Sequence, residues 1–548
     1  MTLQERVAQL VVVPFYGDAP NPRSEEYQKY LRWVRKLRVG GLVLVNRVQE
    51  GRARSAEPYA MAVFLNRMQR AAKVPLLVAG DFERGDSMRV ESKTLFPHAM
   101  AFAATRDPEL SRFEGAVTAK QGKALGVPWI LAPVADVNNN PDNPIINIRS
   151  YSENPEEVSE HVRAFIAGAH SVGQVLVTVK HFPGHGDTST DTHMALAVNN
   201  ADRARLDKIE LPPFQAAIAG GVDSVMTAHI AVPAVAEPGV PATLSAALLT
   251  GVLRKDLGFR GLITTDALDM QGITKQAPAG QAAVRAIQAG VDVLLMPANP
   301  EEAVTALVNA VKRGAISRER IDESVRKVLA AKARVGLDHR RYVNVETMMD
   351  ELDPPEDIAK AQEVSARAVT LVRNQGDVVP LRAGARPCFL VLTESRGSQQ
   401  GKVFAADVRK RLPDASVTTL DPAASAADLD QAAAAAAGCD AVVTAAFATV
   451  AAYRGNVALA GGYPALLNRV IESGKPVVLV ALGNPYLLRS FSGVAAYLAT
   501  YSTVPPSETA AVKALFGEIP IQGRLPVTIP GVAQYGEGIQ LPAGAAAK

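Results

Sequence analysis

The stretch Gln174-Val175-Leu176-Val177-Thr178-Val179-Lys180-His181-Phe182-Pro183-Gly184-His185-Gly186-Asp187 runs from an apolar, β-branched segment straight into lysine, histidines and aspartate. Valine and threonine favour an extended backbone, and a run this apolar suits a strand buried on both faces. The proline and glycines that follow end the strand and fix a tight path for the chain. A buried strand whose C-terminal end carries ionisable side chains is the repeating unit of a parallel barrel with its chemistry at one rim.

Seven further strand-like runs lie in the first 300 residues, at 10–15, 42–45, 76–81, 129–134, 223–229, 261–266 and 291–296. Most gaps hold helix-like segments, such as 57–72 and 280–290. The expected fold class is α/β, a TIM-type (β/α)8 barrel. Asp81, Lys180, His181, His229 and Asp266 each fall at or just beyond the C-terminal end of a predicted strand. A doubly wound open sheet shares the alternation but rarely sets so many ionisable groups at successive strand ends.

After an amphipathic helix at 321–335, the polar, proline-containing stretch 338–355 reads as a linker. The runs 388–392, 415–420, 441–446, 476–482 and 494–499 then read as short buried strands, with an alanine-rich helix at 423–437 among the helices between them. The expected organisation is a catalytic barrel over 1–337, a linker and entry helix over 338–365, and a smaller α/β sandwich domain over 366–548.

Composition narrows the partners. The 548 residues are 48% hydrophobic and 21% charged with a formal net charge of +3, which supports two or more cores. Scattered lysine and arginine leave no footprint for nucleic acid, and uncharged ligands fit better. No uncharged apolar run approaches the roughly 20 residues needed to span a bilayer. The first residues carry no export signal, but the chain starts abruptly at a helix over 3–10, so a leader cut from a longer precursor is also compatible. Location is therefore open between cytoplasmic and periplasmic or secreted. Cys388 and Cys439 have no metal-like spacing; reduced thiols are expected, unless the fold brings the two together.

Asp266 closes the run 261–266, so its carboxylate is expected in the barrel mouth as a catalytic group. The competing reading makes it the cap of a helix beginning near Leu268. Asp269 is a rival, expected in the first helical turn. Asp191 and His193 lie one residue apart beyond a glycine-containing loop. A carboxylate beside an imidazole fixes its tautomer, which suits a proton shuttle working around neutral pH; the competing reading is a hydrogen bond across the loop. His181 and His185 have the i, i+4 spacing of helical metal ligands, with Asp187, Asp191 and His193 at hand, but Pro183-Gly184 breaks such a helix. No metal and no cofactor are expected.

These residues carry a family resemblance. The stretch Lys180 to Gly186 with Asp191 and His193, together with Thr265-Asp266-Ala267-Leu268, resembles glycoside hydrolase family 3, and the Asp-x-His ending of the loop resembles its β-N-acetylglucosaminidase, NagZ-type branch. Asn140-Pro141-Asp142-Asn143-Pro144, Arg149-Ser150-Tyr151, Met226-Thr227-Ala228-His229 and Pro241-Ala242-Thr243-Leu244-Ser245 extend the likeness over the barrel. Val379-Pro380-Leu381 and Gly523-Arg524-Leu525-Pro526 extend it, more weakly, into the second domain. The resemblance implies a retaining, exo-acting β-N-acetylglucosaminidase that releases terminal β-linked N-acetylglucosamine, with peptidoglycan fragments among the expected glycans.

In that reading Asp266 is the nucleophile, His193 the general acid/base and Asp191 its partner. Asp81, Arg149, Lys180 and His181 hold sugar hydroxyls, and His229 lines the same pocket. The alternatives are a phosphorylase of the same branch and a non-catalytic glycan-binding protein. Where the family often reads Asp-Gln-Glu-Gly-Gly-Arg, this chain has Asp81-Phe82-Glu83-Arg84-Gly85-Asp86. That departure is expected to alter the pocket rim.

Overall fold

Eight parallel strands form the first sheet of the computed structural model, which describes residues 1–49 and 52–544. They are β1 (Val11–Phe15), β2 (Gly41–Leu44), β3 (Leu77–Gly80), β4 (Trp129–Ile130), β5 (Leu176–Phe182), β6 (Ser224–Thr227), β7 (Leu262–Thr264) and β8 (Leu294–Leu295). Their order is β7-β6-β5-β4-β3-β2-β1-β8, so chain neighbours are sheet neighbours. The two ends meet through a parallel bridge between Thr264 and Val293, with the Asp292 and Val293 amides donating to the Ile263 carbonyl at 2.8 and 3.0 Å. The sheet is a barrel, as the strand count predicts.

Every predicted run of the barrel overlaps a strand, in most cases a shorter one. Only Trp129–Ile130 of the run 129–134 joins the ladder, with one further bridge from Val134 to Lys180. Pro133 has no N–H to donate, which interrupts the pairing between them. Local signals also set the helices outside the barrel. Asn299 accepts the Glu302 amide at 3.1 Å and Pro300 opens the helix Pro300–Lys312, while Ser317 caps Arg318–Arg334. The latter helix buries Ile321, Val325, Val328 and Ala331, one stripe at helical spacing.

The chain divides into two compact units. The first holds Met1–Thr94, Ser111–Val137 and Pro155–Pro355, and the second holds Leu95–Leu110, Asn138–Asn154 and the chain from Glu356 onward. This differs from the contiguous stretches 1–337 and 366–548 expected from the sequence. Periodicity marks an element but not the core it joins: Met100, Ala101, Ala104 and Ile148 are buried in a core of the second unit.

In the second unit, β9 (Thr370–Asn374), β10 (Pro387–Leu392), β11 (Val417–Leu420), β12 (Ala441–Ala448), β13 (Val477–Gly483) and β14 (Ala496–Ala499) take the order β9-β14-β13-β12-β10-β11. All pairs are parallel except β9 with β14, and β9 was not among the predicted strands. Alternate residues serve two cores: Leu390, Val442, Leu479 and Tyr497 face one, Phe389, Val443, Val478 and Leu498 the other. A sheet covered on both faces reads as continuous apolar runs for this reason.

The expectation of reduced thiols is corrected. Cys388 and Cys439 form a disulfide, with Cα atoms 5.8 Å apart. The β10–β12 ladder sets Cys388 opposite Val442, three residues past Cys439, a pairing invisible without the sheet register. Among the described residues, no helix is long and apolar enough to cross a membrane.

Candidate active site

β5 delivers two consecutive side chains to the barrel mouth. Its ladder with β6 loses register between Val179 and Phe182, so strict alternation of sides does not hold across Lys180 and His181. Both are buried. Lys180 Nζ donates to Asp81 Oδ1, at the end of β3, and to Glu83 Oε1, each at 2.8 Å. Arg89 Nη2 donates to the other Asp81 oxygen at 3.1 Å. Burial alone would raise the Asp81 pKa; the Lys180 and Arg89 charges outweigh it and hold the carboxyl below its usual range.

His181 Nδ1 donates to Asp136 Oδ2 at 2.7 Å, while Asp136 Oδ1 accepts the amides of His181 and His185 at 3.2 and 2.7 Å. Burial works against the Asp136 charge, but His181 and the bonds from His181 and His185 prevail and lower its pKa. Asp136 was not singled out from the sequence. It stands two residues beyond the run 129–134, so the criterion that found Asp81 and Asp266 finds it as well.

The helical spacing of His181 and His185 is not realised, because the backbone turns after β5 with the Gly184 amide donating to the His181 carbonyl at 2.8 Å. The ring nitrogens of His185 lie 2.7 Å from Thr188 Oγ1 and 3.2 Å from Thr192 Oγ1, pinning the loop internally. Among the described residues, no group of three or more His, Cys, Asp or Glu side chains is placed to hold a metal.

Asp191 is fully buried, and its Oδ1 accepts both the amide (2.9 Å) and Nδ1–H (2.8 Å) of His193. His193 is 27% exposed, and its second nitrogen, Nε2, is turned away from Asp191. The loop is docked on the chain that follows β7. The Gly272 amide donates to the Thr192 carbonyl at 3.2 Å, and Lys275 Nζ to the Met194 carbonyl at 2.9 Å.

Asp266 lies two residues past β7 and accepts the Ala267 amide at 2.7 Å. The next helix begins only at Gln271, so Asp266 does not cap it, and Asp269 sits exposed in the preceding turn rather than in a helical turn. Burial disfavours the Asp266 charge; His229, His181, the Ala267 amide and His193 together overcome this and lower its pKa. The mouth thus holds an ionised carboxylate within electrostatic reach of three imidazoles. Such a site can attack an electrophilic carbon on one side and move a proton on the other.

Two domain descriptions match nearly the whole chain: glycosyl hydrolase family 3 N terminal domain over residues 2–331, and glycosyl hydrolase family 3 C-terminal domain over 369–544. The chain belongs to glycoside hydrolase family 3. This family 3 glycoside hydrolase acts on carbohydrate and is 30% identical to a β-N-acetylglucosaminidase/β-glucosidase of Cellulomonas fimi, over 95% of its own length and 93% of the relative's. Among solved structures it resembles a family 3 β-N-acetylglucosaminidase from Paenibacillus sp. str. FPU-7, with a TM-score of 0.85, 31% identity, and 96% and 99% of the two chains covered. It also resembles the β-glucoside phosphorylase BglX, at TM-score 0.85 and 27% identity over 97% and 95% of the chains.

His229 is fully buried, with Nδ1 2.7 Å from Thr243 Oγ1 and Nε2 donating to the Ala267 carbonyl at 2.9 Å. Burial lowers its pKa against the opposing pull of Asp266. Through the Ala267 carbonyl it braces the backbone beside Asp266. Within the departing stretch 82–86, Phe82 and Asp86 are buried and Glu83 pairs with Lys180, beside Asp81.

Arg149 belongs to the segment Asn138–Asn154 of the second compact unit, where its Nη1 donates to the Ile145 carbonyl at 2.7 Å. The other sequence-derived candidates, Asp81, Lys180, His181, Asp191, His193, His229 and Asp266, all lie in the first unit.

Proposed function

We propose that this family 3 enzyme is a retaining, exo-acting β-N-acetylglucosaminidase in which Asp266 is the nucleophile and His193 the general acid/base. The observation that carries the reading is the Asp191–His193 pair: a buried carboxylate bound to Nδ1 directs Nε2 to the proton-transfer role, near an ionised Asp266. In the first step an Asp266 oxygen bonds to the anomeric carbon while the Nε2–H of a His193 imidazolium passes to the departing glycosidic oxygen. A glycosyl-aspartate forms. In the second step Nε2 takes a proton from water, the water oxygen attacks the same carbon, and Asp266 leaves, so two inversions return the original configuration.

Asp81 with Lys180, and His181 oriented by Asp136, are the proposed holders of the terminal sugar's hydroxyls. The N-acetylglucosaminide preference is supported by the Asp-x-His loop and by the activity named for the Cellulomonas and Paenibacillus relatives. The test compares p-nitrophenyl N-acetyl-β-glucosaminide with the β-glucoside, with and without phosphate, and with Asp266→Ala as control. Phosphate-independent release from the N-acetyl compound, abolished by the substitution, is the expected result. Strict phosphate dependence with a sugar 1-phosphate as product would replace it with phosphorolysis. Preference for the glucoside would overturn the substrate assignment.

A further inference from the structure

The N-terminal end of the barrel, opposite the rim that carries Asp266, holds a cavity of about 510 Å³. Gly126 and Pro128, just before β4, and Gln174, just before β5, place it at the strand starts. Its other walls are the end of the helix Pro108–Ala124 and the chain that leaves the barrel after Arg334. The volume is that of a small-molecule site.

Its charge is one-sided. Among the described residues, Lys120, Lys123, Arg340 and Arg341 line it against one carboxylate, Glu351. The excess of three positive charges equals the formal net charge of the whole chain, +3. Glu351 is engaged by Lys120 at 3.3 Å, and Arg341 donates to the Ala72 carbonyl at 3.4 Å. Among the described residues, no carboxylate is paired with Lys123 or Arg340, both of which are exposed. Like charges gathered in a concavity repel one another unless an anion joins them, and the concave walls focus the field on such an anion. The guanidinium fork matches the oxygens of a phosphate, and the lysines add point charges. Tyr342, 47% exposed, presents an aromatic ring at the same cavity.

We propose that this cavity binds a small multivalent phosphate-type anion of the diphosphate class. The bound anion bridges Lys120 and Lys123 on the barrel helix to Arg340 and Arg341 on the departing chain. It thereby stabilises the folded barrel by mass action while leaving the chemistry at the opposite rim unchanged.

The test is calorimetric titration of the full chain with sodium diphosphate against sodium chloride of equal ionic strength, for the wild type and for Lys123→Ala/Arg340→Ala. Because both residues are exposed and distant from Asp266, the variant is expected to fold and hydrolyse substrate normally. Saturable one-site binding, weakened roughly ten- to hundredfold in the variant, with a diphosphate-dependent rise in Tm seen only for the wild type, is the expected result. Unsaturable binding, or equal affinity in the two proteins, overturns the proposal; the latter assigns the anion to another site.

Discussion

Gly272 donates its backbone N–H to the carbonyl of Thr192 at 3.2 Å, so the loop that carries Asp191 and His193 rests on the chain that follows Asp266. The two ends of the proposed mechanism are fixed to each other by this contact. A Cβ at position 272 would stand 3.0 Å from the Thr192 oxygen and 3.2 Å from His229 Cβ. Gly272→Val is expected to lift the loop and lower kcat/KM by about tenfold or more, with only a small change in Tm. Steady-state kinetics beside thermal unfolding check this; unchanged kinetics in a folded variant would refute the contact's role.

Removing the two proposed chemical groups has different signatures. His193→Ala loses proton transfer, about 10²–10⁴-fold on alkyl glycosides, and recovers part of that on dinitrophenyl glycosides, which need little protonation. Asp266→Ala loses the covalent route on both. Rates across a series of leaving groups distinguish the two, and equal loss of the His193 variant on every substrate would remove His193 from the acid role.

Asp136 binds three donors through one buried carboxylate, so Asp136→Asn is expected to lower kcat/KM and stability together. The folded-state pKa is depressed, so the unfolded chain binds the proton more readily. The carboxylate's contribution is therefore complete above the ordinary aspartate range, near pH 4, and is lost as pH falls through the lower folded value. The stability gap between wild type and Asp136→Asn, read from urea midpoints, narrows below pH 4. A gap that widens on acidification contradicts the assignment.

At the other end of the barrel, Lys332 is buried and donates to Gln9 Oε1 at 2.7 Å. Burial pulls its pKa from 10.5 down to about 7. Between these values the unfolded chain is protonated and the folded one is not, so this lysine makes stability rise with pH across that interval and penalises the fold fully below about pH 7. Lys332→Met is expected to be most favourable, relative to wild type, near pH 6, by about 1–2 kcal/mol after the lost Gln9 bond. That advantage shrinks steadily toward pH 10. Urea unfolding at several pH values measures it, and a pH-independent difference would show that Lys332 does not titrate in this way.

The eight barrel strands, the ionisable groups at their ends and the Asp191–His193 pair were legible in the sequence. Each is written within a few contiguous residues as alternating propensity, a strand stop or a short spacing. Asp266 was legible only as one of two readings, because a carboxylate after a strand looks the same whether it caps a helix or faces the mouth. The position of the following helix start, Gln271, decides between them.

The tertiary structure alone decided the rest. Asp136 meets His181 across 45 positions, and Cys388 meets Cys439 across 51. His229 turned out to be a buried brace through Thr243 and Ala267, and residues 95–110 and 138–154 joined the second unit. Local periodicity records how a segment buries its own face. Which distant partner satisfies a buried polar atom is fixed only when barrel closure and sheet register bring the two together, and no run of neighbouring residues carries that information.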